Sequence, residues 1–491
     1  MVIRRLRAPS IDFDSLRREL DLPSRFPLAV LAEADATAGR PLPGSDLTGI
    51  PFVTIDPVGS RDLDQAVHLA RRTGGGYRVH YAIADVGAYV RPGGDVDAEA
   101  WRRGQTVYLP DAKVPLHPIS LSEGAASLLP ELDRAAVVWT IDLAADGATT
   151  AVRLERARIR SRAMLNYPAV QHDADAGRLP DPIALLPEIG RLLLDRGHAR
   201  GAIDLPMPEQ EVEADGDGWR LVLRALVPVE QYNAQISLLT GMAAASLMLD
   251  GGIGLLRTMP SPRPEAVAKL RVAGAGLGID WPDGATVGAV IASIDPAEPR
   301  AAAFLDHAAE LMRGAGYTAF DGKVPDEPAH GAVAAPYAHV TAPLRRLADR
   351  YATEVCLALM VDQPVPDWAR EALPKLPRVM ASTDRTSSAA ERGAVDLVEA
   401  VLLADRVGET FEAAVLDVDA PPRPAEAPPA SVAPAPAAPA GTSARLPGGT
   451  IALADPPVRA RCDGALPLGE HVRVRLVLAD PVQRKVRFER D

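Results

Sequence analysis

The period of the apolar residues changes along the chain, and that change restricts the fold more than any other feature. From residue 48 to residue 160 apolar side chains recur at every second position, the spacing of extended strands. Over 184–200, 230–250, 264–277, 300–315 and 343–361 the spacing is three to four, which aligns one face of a helix. A strand-rich half followed by helices predicts an α+β body. Short apolar segments at Phe411–Val418, Gly449–Leu453, Val458–Cys462, Glu470–Leu478 and Lys485–Phe488 predict five more strands, as in a small barrel. Residues 420–446 interrupt them with Pro/Ala low complexity that cannot bury a core and reads as a disordered or polyproline-like excursion. The expected division is an extension at 1–47, with a helical stretch from Asp14 to Asp21 before Pro- and Gly-punctuated connection, a body at 48–408 and a small β-domain at 409–491.

With 491 residues, 47% of them hydrophobic, the chain can bury a large core in two or more domains. A net charge of −12 argues against nucleic-acid binding through a general electrostatic coat, so any such contact needs a local basic channel. Arg345, Arg346 and Arg350, and the Arg-rich stretch from Arg153 through Arg162, are the candidates to line one; the alternative is ordinary solvated arginine faces. Cys356 and Cys462 are the two cysteines, far apart and without His or Cys neighbours, which excludes a disulfide framework and a zinc site and fits a reducing compartment. No apolar run reaches membrane-spanning length and Met1 to Arg7 lead into no signal-like segment, so a cytoplasmic location and no membrane partner are expected.

Asp56, Asp62 and Asp64 fall within nine positions that otherwise read as strand, turn and strand. Like charges this close raise one another's pKa unless a cation sits among them, so the cluster suggests a hard metal such as Mg²⁺. Asp62 and Asp64, two apart, point to one face of an extended segment, and Asp56 can meet them across the loop. Such a site suits two-metal phosphodiester hydrolysis, with cations about 3.5–4 Å apart. The alternative is an acidic surface turn capped by its own Asp side chains.

Thr54-Ile55-Asp56-Pro57 followed by Asp62-Leu63-Asp64-Gln65-Ala66 resembles the signature of the ribonuclease II family, the RNB-domain 3′→5′ exoribonucleases. Tyr81 to Val86, Thr106 to Pro110, Pro118 to Glu123 with Ser127-Leu128, and Arg162 to Tyr167 are similar to further family segments in the same order. Tyr337-Ala338-His339-Val340-Thr341-Ala342-Pro343-Leu344-Arg345-Arg346-Leu347-Ala348-Asp349 resembles the family's Tyr-Thr-His-Phe-Thr-Ser-Pro-Ile-Arg-Arg-Tyr-Ala-Asp block. The resemblance covers about residues 48 to 408 and implies an RNB catalytic domain; the segment from Leu468 to Val474 resembles the S1-type OB domain that ends many members. The cold-shock barrels usual ahead of the catalytic domain have no counterpart in residues 1–47, a departure.

The resemblance implies roles residue by residue. Asp56, Asp62 and Asp64 match metal-binding and catalytic carboxylates, Asp64 being the one whose loss removes hydrolysis while RNA stays bound. Gln65 stands where the family has a fourth Asp, offering an amide oxygen without the charge that helps hold Mg²⁺. Tyr108 and Tyr167 match positions that pack on bases near the 3′ end, Arg345 the phosphate-clamping arginine beside Arg346, and Glu391 a glutamate that holds the terminal sugar hydroxyls. His339 is expected to orient other groups rather than to ligate metal. Ala234-Gln235 replaces an acidic pair expected on a helix, and no role transfers there. The C-terminal barrel has only Phe411 as an aromatic in its early strands, so strand binding by it and a purely structural role both stay open. The expected activity is Mg²⁺-dependent hydrolysis, with Mn²⁺ as a possible substitute, of single-stranded RNA to nucleoside 5′-monophosphates. The alternatives are a narrow-specificity 3′-end trimming nuclease and a catalytically weak RNA-binding regulator.

Overall fold

A computed structural model describes residues 11–419 and 447–491, so the Pro/Ala-rich segment at 420–446 lies outside the described residues. Five strands close into a first barrel: β1 (Phe52–Asp56), β2 (Gln65–Arg71), β3 (Tyr77–Ala84), β4 (Asp133–Leu143) and β5 (Thr149–Asn166). They pair in sequence order, and the barrel closes through a parallel contact of β1 with β5, Asp56 opposite Asn166. The period of two serves two cores at once. Tyr77, Val79, Tyr81 and Ile83 of β3 and Val137, Trp139, Ile141 and Leu143 of β4 pack into one cluster. The intervening Ala82, Ala84, Ala136 and Val138 pack into another on the opposite face. The β2–β3 hairpin closes at Gly76, whose φ is +75° and where a Cβ would stand 2.1 Å from the Leu143 carbonyl oxygen.

Helices cover the barrel. Helix α1 (Pro228–Gly251) starts with Pro at its first position, its Glu230 carboxylate accepts the Val227 N–H at 3.0 Å, and it stops at the left-handed Gly252. It buries Ile236, Leu239, Ala244, Ala245 and Met248 in the first cluster, beside Tyr351, Ala352 and Val355 of α2 (Leu347–Met360). The expected helices at 184–200 and 264–277 are observed as Leu186–Arg200 and Pro264–Leu277. That at 300–315 stops at Ala309 and tightens to a 3₁₀ turn through Met312, and that at 343–361 begins only at Leu347 because residues 342–346 turn into the functional region.

The expectation of strands throughout 48–160 fails at Asp95–Arg103, a helix with acids in its first turn, arginines in its last and Gly104 at φ +68° beyond it. Helices at Leu28–Ala38 and α3 (Leu376–Leu403) also form in stretches read otherwise or left unassigned.

The C-terminal region closes a second barrel from β6 (Thr410–Val418), β7 (Gly448–Leu453), β8 (Arg459–Asp463), β9 (His471–Asp480) and β10 (Lys485–Arg490), in the order β6-β7-β8-β10-β9. Val415, Ile451, Cys462, Val474 and Phe488 fill it. No helix among the described residues is long and apolar enough to cross a membrane.

Candidate functional site

Asp56 ends β1, and Asp62 and Asp64 sit on the loop between β1 and β2. Gly59, at φ +85°, allows the Pro57–Ser60 turn, and the Ser60 N–H closes it on the Pro57 carbonyl at 3.2 Å. Beyond it the backbone is pinned from below. Ser127 Oγ donates to the Arg61 carbonyl at 2.6 Å and accepts the Leu63 N–H at 3.0 Å, and the Leu128 and Ala84 N–H groups bond the Leu63 and Asp64 carbonyls. Leu63 is buried completely, so its neighbours Asp62 and Asp64 project the other way, both into one cleft.

The second segment meets this loop from above. Asp349, fully buried on α2, accepts two bonds from Arg346, both at 2.8 Å, and one from the Ala342 N–H at 2.8 Å. That clamp fixes the 342–346 turn. It aims the Leu344 N–H at Asp64 Oδ1, 2.8 Å away, and leaves the half-exposed Arg345 guanidinium 3.9 Å from Asp64 Oδ2.

The cleft has a volume of about 340 Å³ and is lined by Asp56, Asp62, Asp64, Tyr108, Tyr167 and Arg345, together with Gln65 at its edge. Burial, with the charge of Asp62 adding to it, pushes the Asp56 carboxyl up to about 7. Burial pushes Asp64 up to about 8, against the pull of Arg345 and the Leu344 N–H. Asp56 Oδ2 is buried without a hydrogen-bond partner. Among the described residues no three acidic, His or Cys side chains form a ready metal cage. The donor set nevertheless suits a hard divalent cation: the unpartnered Asp56 oxygen, Asp64 and Asp62 would serve as carboxylate ligands, and water or a substrate phosphate would complete the shell.

Gln65 is held otherwise. Its Nε2 donates to the Thr341 carbonyl at 2.7 Å and its Oε1 accepts from the Tyr81 hydroxyl at 2.5 Å, so both polar ends are bonded to protein. Tyr108 is half exposed over the cleft with its hydroxyl 3.4 Å from Asp62 Oδ2. The Tyr167 hydroxyl accepts from Asn233 of α1 at 3.1 Å.

Other expected residues lie elsewhere. Arg346 is consumed by Asp349, and Arg350 is buried against Asp97 and the Val90 carbonyl. Arg156 pairs with Asp85 and Glu354, Arg158 with Asp46 and Arg160 with Asp133, so the Arg-rich strand β5 carries largely matched charge. Glu391 is exposed on α3 and does not line the cleft. His339 is half-buried, hydrogen-bonded to the Tyr317 hydroxyl at 2.7 Å, and is held well below its usual pKa by desolvation and then by Arg346. In the second barrel Phe411 is buried edge-on against Phe488, 5.7 Å between centroids, and offers no stacking face.

Lys113 escaped sequence reasoning. Its ammonium lies 2.8 Å from Asp62 Oδ1 and 2.9 Å from Glu123 Oε1. A two-residue hairpin pairs Lys113 with Tyr108 directly across the strands, and the Pro110-Asp111 turn after Tyr108 was the signal that could have placed it.

A barrel-borne carboxylate cleft lined also by an arginine, in a chain with a second small barrel, defines a two-barrel α+β class of protein, and comparison with known proteins specifies it. The sequence matches the RNB domain over residues 45–360 and the RNase II-type exonuclease C-terminal S1 domain over 409–491, and the chain belongs to the RNB-domain ribonuclease family. Ribonuclease R of Escherichia coli (strain K12) is 28% identical over 423 residues, covering 78% of this chain and 49% of the relative. The chain thus spans about half the length of that relative. Mycoplasma genitalium RNase R in complex with ribose methylated single-stranded RNA superposes with a TM-score of 0.82 at 18% identity, covering 98% of this chain and 77% of that one. Yeast Ssd1, described as a pseudonuclease, superposes with a TM-score of 0.66 at 18% identity, over 92% of this chain and 53% of its own.

Proposed function

We propose that this protein is a metal-dependent 3′→5′ exoribonuclease that releases nucleoside 5′-monophosphates from single-stranded RNA, with Mg²⁺ as its physiological cation and Mn²⁺ able to replace it. The observation that carries the reading is the convergence of Asp56, Asp62, Asp64 and Arg345 on one cleft beside an exposed tyrosine. Two buried free cysteines fit action in a reducing compartment such as the cytoplasm.

A cation bound by the carboxylates would supply Lewis-acid stabilisation of the phosphate oxygens and a more acidic water. Arg345 sits where its guanidinium can hold a non-bridging phosphate oxygen and stabilise charge as it develops, while its approach to Asp64 keeps that carboxylate oriented. Tyr108 presents an aromatic face on which any base can stack, worth about 1–3 kcal/mol per base and indifferent to sequence, as stepwise degradation requires. Tyr167, fixed by Asn233, bounds the opposite part of the cleft. Arg346 acts through Asp349 on the turn that carries Leu344 and Arg345. Glu391 is left out of the proposed contacts because it lies apart from the cleft.

Gln65 favours a second reading, an RNA-binding scaffold without turnover, since an amide bonded to Thr341 and Tyr81 adds no charge for a metal. One assay separates the two. A 5′-labelled oligoribonucleotide incubated with the full chain and Mg²⁺ should give a ladder ending in short products, and Tyr108→Ala should change the final length. A scaffold would retard the RNA in a gel and leave its length unchanged, and that result would overturn the proposal.

A further inference from the structure

Lys113 is the one ammonium group bonded directly to a carboxylate of the cleft among the described residues. Its two acceptors come from different elements: Asp62 from the β1–β2 loop, and Glu123 from the single π-helical turn Leu121–Ala125. An exposed lysine pair contributes little and wanders. This one is largely enclosed, with side-chain exposures of 24% for Lys113, 14% for Asp62 and 17% for Glu123. Of the three N–H bonds that an ammonium offers, two go to these carboxylates.

The charge inventory around it is unusual for a two-metal centre. Asp62 is neutralised by Lys113, Asp64 is faced by Arg345 and the Leu344 N–H, and Gln65 contributes no charge and has both polar atoms bonded to protein. Among the described residues only Asp56 keeps a buried carboxylate oxygen with no partner. A second divalent ion needs its own anionic oxygens, and one of the two Asp62 oxygens already bonds a cation.

We propose that Lys113 is a positioning residue that takes the place of a second divalent cation: its fixed positive charge holds Asp62 against Glu123, so that the cleft binds a single divalent ion. The inference rests on the nuclease reading for its consequence in turnover, but its consequence in metal binding stands independently. If Lys113 is removed, Asp62 Oδ1 and Glu123 Oε1 are left, each within 2.9 Å of one vacated point, and that point becomes a cation site.

The test is a Mn²⁺ titration of the full chain without RNA, followed by electron paramagnetic resonance of the free ion. Wild type should bind one Mn²⁺ per chain. Lys113→Met should bind two, and Lys113→Arg, which restores the positive charge, should return to one. In the RNA assay Lys113→Met should lose at least about tenfold in kcat with KM changed less than about twofold, and Lys113→Arg should recover most of the loss. Thermal melting verifies that each variant is folded, and Lys113→Gln replaces Lys113→Met if the latter is not. Two ions on wild type, or equal stoichiometry in wild type and the neutral variant, would overturn the proposal. Should wild type leave RNA uncut, the exonuclease reading fails while the Mn²⁺ count alone still decides the role of Lys113.

Discussion

Asp64 is almost wholly enclosed, yet it faces a cationic side chain and a backbone N–H, the environment of a carboxylate kept for use rather than for stability. Asp64→Asn keeps the shape and removes the anionic ligand. It should lower kcat by at least about 10²-fold while fluorescence anisotropy with a labelled oligoribonucleotide shows little change in Kd, because Arg345 and Tyr108 remain. Comparable turnover would remove Asp64 from the chemistry. The same residue governs pH behaviour. Asp56 and Asp64 bind protons more tightly in the folded chain, at about 7 and about 8, than in the unfolded one near 4. The stability they contribute in the metal-free protein is complete below about pH 4 and is lost as pH rises through 7 to 8. Melting in EDTA should therefore show the transition temperature falling between pH 5.5 and 8.5, and Mg²⁺ should raise it more at 8.5 than at 5.5; an equal Mg²⁺ effect at both would contradict the assignment. Gln65→Glu places a carboxylate against the Thr341 carbonyl that the amide now serves, and should cost about 1–3 kcal/mol in denaturant unfolding.

The element that decides the site is the β1–β2 loop, and its rigidity depends on one hydroxyl. Ser127→Ala would strand the Arg61 carbonyl and the Leu63 N–H, a loss of about 1–3 kcal/mol, and would free the segment that aims Asp62 and Asp64. The expected result is a fall in kcat beyond what the change in melting temperature accounts for at the assay temperature; unchanged kcat would mean the loop is held by its backbone bonds alone. This loop was legible from sequence, since Asp56, Asp62 and Asp64 lie two or six positions apart in an extended pattern that the fold keeps. The strands of both barrels and the helices Leu186–Arg200, Pro228–Gly251 and Pro264–Leu277 were legible for the same reason, a long apolar period. The helix Asp95–Arg103 was not, because Val96 and Ala100 carry most of its apolar burial while its Asp97, Glu99 and Arg103 are buried too, through ion pairs with partners near and far in sequence. Arg350 and Lys113 illustrate the limit at the site: whether a cation faces substrate or a carboxylate is settled by long-range partners such as Asp97, 253 positions from Arg350, that no local spacing reveals.

At the scale of the whole molecule the two barrels are not separate bodies. One core runs from Phe13 and Leu16, at the start of and within the N-terminal helix Asp14–Glu19, through Val398, Leu402 and Leu403 of α3, into Phe411, Val415, Val474 and Phe488 of the second barrel. Polar ties reinforce it: Arg484 of the barrel grips Glu19 at 2.6 Å, and buried Glu399 of α3 accepts from Gln210 at 2.8 Å and from the Arg459 N–H at 3.0 Å. The same helix also touches the catalytic body, where Gln105 donates to the Thr383 carbonyl at 3.1 Å and Arg257 pairs with Asp384. Helix α3 therefore joins the core of the second barrel to the body that carries the cleft. Unfolding should then be a single cooperative event. Leu403→Ala, at a fully buried position, should destabilise by about 2–5 kcal/mol and shift the whole calorimetric transition downward, and in a background where Trp101, Trp219, Trp281 and Trp368 are replaced by Phe the fluorescence of Trp139 in the first barrel should move with it. If instead the variant melts in two steps, with only the first displaced and Trp139 unchanged until the second, the barrels are energetically independent and α3 is a tether rather than a shared core.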